Sequence, residues 1–64
     1  MGKDLAWMLA LEGLGEQYPI NNPYFFDEAL YNARLGWHST SFNYAIKSGI
    51  PAEHLRSVYE LIFG

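Results

Sequence analysis

The chain has 64 residues, with four lysines and arginines, seven aspartates and glutamates, and no cysteine, and these numbers exclude a good deal. A chain this short forms one domain at most and buries only about 60% of the surface its unfolded form exposes. It has no disulfide staple and no thiolate metal site, and its net charge of −3 argues against an electrostatic grip on nucleic acid.

Strong helix formers run from Lys3 to about Leu14, with Asp4 placed to cap the helix or to favour its positive end. Trp7, Leu11 and Leu14 share one face with Ala10 beside them, while Leu5 and Leu9 point elsewhere, toward Glu12 and Glu16. A helix that is apolar on more than one face is either central to its fold or shared with a partner. Gly13 and Gly15 are expected to end it, because glycine readily takes the left-handed conformation beyond a helix.

The stretch Tyr18-Pro19-Ile20-Asn21-Asn22-Pro23 reads as a loop. A second helix then opens with Asn22 as N-cap and Pro23 at the first helical position, carries Asp27 and Glu28 early and Arg34 late, and stops at Gly36. Phe26, Ala29, Leu30 and Ala33 are spaced as a core stripe, and Tyr24, Tyr31 and Leu35 as a flanking one. After Trp37-His38, any of Ser39, Thr40 and Ser41 can cap a third helix ending at Ser48. A fourth starts at Pro51, with Leu55, Val58, Tyr59 and Ile62 inward and Leu61 and Phe63 off that stripe. No segment alternates with period two. The predicted architecture is all-α, a compact bundle of four short helices in a single domain over residues 1–64.

The stretch from Ser41 to Glu60 resembles the helix-turn-helix superfamily. Ala45 sits where two helices would cross, Gly49 follows at the turn, and Ile50 comes next. Pro51 opens the second helix, and Tyr44, Leu55 and Val58 are spaced to lock the pair. Ser48 stands where an apolar residue is often found in that unit. The resemblance implies that the last helix would enter the major groove, with Ala52, Glu53, Arg56, Ser57 and Glu60 as its reading face. Charge opposes this. A strong duplex binder makes roughly 6–10 phosphate contacts, and Arg56 is bracketed by Glu53 and Glu60 at spacings that favour intrahelical ion pairs.

Nothing in the sequence supports catalysis. Ser39, Thr40 and Ser41 lie beside His38, but neighbouring residues rarely face one another productively. His38, His54 and Glu53 lack the i, i+4 ligand pair of a helical zinc site. We therefore expect no enzyme, no metal and no cofactor. Leu5 to Leu11 is too short and too closely flanked by Asp4 and Glu12 for a signal peptide or membrane span, and Met1-Gly2 does not continue into a myristoylation pattern because Ala6 occupies the sixth position. A cytoplasmic location follows as the default.

Rings remain in excess. Eleven aromatic residues, each able to bury about 150–250 Å², exceed what four short helices can hide. The expected role is protein binding, of inhibitor, adaptor or regulator type, through Leu5, Leu9, Tyr24, Tyr31, Leu61 and Phe63. The surrounding Asp4, Glu12, Glu16, Asp27 and Glu28 suit a partner with a basic rim. A second copy of this chain is an alternative occupant of the patch, and DNA an alternative partner.

Overall fold

A computed structural model of the protein describes residues 2–64, with Met1 outside them. The described residues form four helices, α1 (Lys3–Gln17), α2 (Pro23–Arg34), α3 (His38–Ser48) and α4 (Ala52–Phe63), with no strand among them. This is the all-α bundle expected from the periodicity. α2 packs most extensively on α3, and α1 lies against both α2 and α4. The C-terminal part of α1 meets the start of α2 at Gly15 and Phe26, and its N-terminal turn meets Gly36 beyond the end of α2, so α1 and α2 run antiparallel.

The start of α2 follows its residue types. The Asn22 side-chain oxygen accepts from the Phe25 backbone N–H at 3.3 Å, and Pro23 occupies the first turn. Asp27 and Glu28 fall in its second turn rather than its first, and Arg34 lies in the last. Both α2 and α3 end in Schellman motifs. The Gly36 and Trp37 N–H groups return to the Ala33 and Asn32 carbonyls at 3.1 and 3.0 Å, and those of Gly49 and Ile50 return to Ile46 and Ala45 at 3.1 and 3.3 Å. Gly49 takes φ +115°, and the loop before α2 packs on this turn: Asn21 N–H donates to the Ser48 carbonyl at 2.8 Å, with the Asn21 side chain in the space a Cβ would need.

The core is centred on Trp7, Leu11 and Leu14 of α1, with Ala29, Ala33, Ala45, Ile50 and Leu55 around them. Buried alanines give α2 and α3 small faces, which lets their backbones approach closely. The Trp7 indole is fully buried. Phe42 stacks beside it with centroids 6.4 Å apart, while Tyr59 and Phe63 present edges at 5.2 and 5.9 Å. Its Nε1–H donates to Ser41 Oγ at 2.6 Å, and that hydroxyl donates onward to the His38 carbonyl at 2.8 Å.

Two expectations are overturned. Gly13 and Gly15 do not end α1, which continues through both to Gln17. The packing explains Gly15: a Cβ there would stand 2.3 Å from Phe26 Cζ, so the glycine admits a ring and does not break the helix. Second, none of Ser39, Thr40 and Ser41 caps α3, which starts at His38 with Trp37 in the cap position and no side-chain cap. Ser41 is instead buried one turn inside the helix. Leaving a buried indole N–H unpaired costs about 1–3 kcal/mol, more than the roughly 1 kcal/mol a capping hydroxyl supplies.

These contacts set two expectations for urea unfolding. Gly13 has open space around its Cβ position, so Gly13→Ala should stabilise the protein by up to about 1 kcal/mol through helix propensity, whereas Gly15→Ala should destabilise it despite the same propensity gain. Ser41→Ala should cost about 1–3 kcal/mol, with a change in tryptophan near-ultraviolet circular dichroism.

Candidate functional site

Helical spacing that carries one face of α2 into the core carries another outward. Tyr24, Tyr31 and Leu35 recur at i, i+7 and i+11 and are 64%, 60% and 50% exposed. Trp37, just past Gly36, is 61% exposed and adds a third ring at the C-terminal end of the helix. Trp37 is not among the surface residues expected from the sequence. The signal for it was Gly36, whose left-handed turn gives the following residue a defined place beyond the helix end. Asp27 and Arg34 are exposed and flank this stripe on one side.

The remaining expected surface residues are spread over other helices. Leu5 and Leu9 lie one turn apart on the outer face of α1, each a little under half exposed, and Leu61 on α4 is almost fully exposed. Phe63 departs from expectation. Its ring packs on Trp7, on Tyr59 at 4.7 Å and on His38 at 4.1 Å, so it closes the core and does not extend an open patch. The His38 Nε2–H also donates to Asp4 Oδ1 at 2.5 Å, fastening the first turns of α1 and α3 to the end of α4. The Asp4 carboxylate is thus a tie between helices, and no side chain caps α1.

A chain of rings crosses from α2 to α3. Tyr24 and Phe25 have centroids 5.6 Å apart, and Phe25 and Tyr44 5.8 Å. The Lys47 ammonium lies 5.6 Å from the Phe25 ring centre and 5.7 Å from that of Tyr44, contacts worth about 0.5–1 kcal/mol at an exposed site.

The would-be reading face on α4 borders an open groove. Between α3 and α4, Ser39, Phe42, Asn43, Arg56, Tyr59 and Glu60 line a cleft of about 350 Å³. Glu53, Arg56, Ser57 and Glu60 are exposed and Ala52 is half-buried, while the Ser57 hydroxyl is turned back to the Glu53 carbonyl at 3.1 Å. The expected ion pairs of Arg56 with Glu53 and Glu60 do not form, since the one pair within 4.0 Å among the described residues is His38 with Asp4. An exposed intrahelical pair gains only about 0.3–0.5 kcal/mol against the entropy of fixing two long side chains, and Arg56 lines the groove instead. Arg34, Lys47 and Arg56 are carried by three different helices.

Neither histidine is grouped with other ligands. His38 bonds Asp4, and the Tyr18 hydroxyl meets His54 Nδ1 at 2.6 Å, joining the end of α1 to α4. No set of three His, Asp or Glu side chains converges among the described residues, and no helix there is long and apolar enough to cross a membrane. Comparison with protein-family models, curated proteins and solved structures finds no match to this chain.

The division between core and surface rings is measurable. Tyr31→Ser should change unfolding free energy by no more than about 0.5 kcal/mol. Phe63→Ala should cost about 2 kcal/mol, somewhat below the ~3–5 kcal/mol of a fully buried phenylalanine. A urea titration of both variants checks the contrast.

Proposed function

We propose that the protein is a non-enzymatic binding module, of inhibitor, adaptor or regulator type, whose partner is a protein seated on the aromatic stripe of α2. The carrying observation is that Tyr24, Tyr31, Leu35 and Trp37 are each at least half exposed along one helix and its end. A small domain that leaves this much ring surface in water forgoes about 25 cal/mol for every Å² it could have buried. Tyrosine and tryptophan suit the centre of an interface because a rigid ring contributes large area for little lost rotamer freedom. Leu5 and Leu9 on α1 and Leu61 on α4 would extend the surface, and Asp27 and Glu28 would speed encounter with a basic rim.

Duplex DNA is the second reading. It is favoured by the helix-turn-helix-like order of α3, Gly49 and α4, and by an Arg56 with no carboxylate within 4.0 Å. It is disfavoured by having Arg34, Lys47 and Arg56 on separate helices and Lys47 lying over two rings. Four cations in the chain also fall short of the phosphate contacts a duplex binder uses.

The two readings separate experimentally. With a benzophenone amino acid in place of Tyr31, irradiation in the source cell should give a discrete protein adduct, lost when Tyr24 and Leu35 are changed to serine. Absence of any adduct at Tyr31, together with duplex binding at low salt that Arg56→Ala abolishes, would reverse the assignment.

A further inference from the structure

The charges beside the α2 stripe indicate what covers it. Asp27 and Arg34 are both exposed and stand two helical turns apart, so they project from the same flank of the helix. The point midway between them falls between Leu30 and Tyr31. Tyr31, more than half exposed, stands beside this point, with Tyr24 before it and Leu35 after it on the same face. The two charges are therefore arranged about one centre, acid before it and base after it, with Tyr31 beside it. A surface of this kind is complementary to itself when turned end for end.

We propose that the partner on α2 is a second copy of this chain, docked antiparallel about a twofold axis passing between Leu30 and Tyr31. Such an isologous contact brings Asp27 level with Arg34 of the second copy and Arg34 level with its Asp27. For antiparallel helices related this way, a residue on one flank meets residues on the same flank of the copy, which is where both charges lie. The two Tyr31 rings lie next to each other near the axis. A parallel arrangement would carry the two charges of the copy to the opposite flank and pair neither of them. The charge pattern selects the antiparallel one, which alone brings opposite charges together. A single helix of this length gives a contact at the small end of specific interfaces, so the dimer belongs to the transient class, forming and separating with concentration. The inference rests on the proposed protein-binding role of the stripe and names its occupant.

The test is a charge-exchange experiment read by sedimentation equilibrium across micromolar to millimolar concentration. The wild-type chain should show a reversible monomer–dimer equilibrium. Asp27→Arg alone and Arg34→Asp alone should each weaken it by about an order of magnitude, two ion pairs per dimer being replaced by repulsions. Helical circular dichroism should stay unchanged, since both side chains are exposed. The double variant Asp27→Arg/Arg34→Asp should recover the dimer. An equimolar mixture of the two single variants should form a heterodimer in preference to either homodimer, because only that pairing restores both contacts. A chain that stays monomeric throughout, or a dimer indifferent to these exchanges, overturns the inference. If a monomeric chain still gives a Tyr31 crosslink to a different protein, the binding role survives and the second copy is excluded. If neither dimer nor crosslink is seen, both are excluded.

Discussion

The bond from the Trp7 indole to Ser41 is the contact on which the arrangement of this protein depends. A tryptophan can be buried completely only if its N–H finds an acceptor, and α3 supplies one a single turn in from its start. Once Trp7 is inside, its ring determines what surrounds it: Phe42 from α3, and Tyr59 and Phe63 from α4. Three helices are thereby fixed to one side chain. The aromatic pairs add about 0.5–1.5 kcal/mol each beyond the area they bury, a sizeable share in a domain with so small a core.

Polar ties at the periphery complete what this hub begins. His38 joins Asp4 while stacking on Phe63, and Tyr18 meets His54 across from the C-terminal part of α1. Asn21 is pinned to the last carbonyl of α3, so the α1–α2 loop closes over the α3–α4 turn. Each joins segments distant in sequence. Together they take the place of the disulfides that a chain of this size often carries. Both histidines are held by these ties.

What the core cannot accommodate is left on the outside, and there it is ordered. The face of α2 opposite its buried alanines holds Tyr24, Tyr31 and Leu35, and the Schellman turn at Gly36 sets Trp37 at the end of the row. The buried positions of α2 are the small Ala29, Asn32 and Ala33, with Phe26 and Leu30 half-buried beside them. The helix therefore packs closely on its neighbours while Tyr24, Tyr31 and Leu35 face solvent. This division of volume gives the proposed binding role its physical basis: the stripe contributes little to folding and is available for association.

Much of this was legible in the chain itself. The alternation of helical periods with prolines and glycines marked four helices. Asn22-Pro23, Gly36 and Gly49 marked boundaries because their backbone preferences are local, and the inner and outer stripes of α2 followed from spacing alone. Three features depended on tertiary structure. Gly15 read as a helix end until Phe26 was seen to occupy the space beside it. Ser41 read as a cap until Trp7 claimed its hydroxyl, and Phe63 read as surface until the Trp7 cluster drew it in. The sequence by itself determined where the helices are and which faces are apolar, because dihedral preference and periodicity act within a few residues. Only the tertiary structure decided which rings are buried and which polar groups are paired, because those outcomes depend on whether a distant segment brings a matching shape or a hydrogen-bond partner.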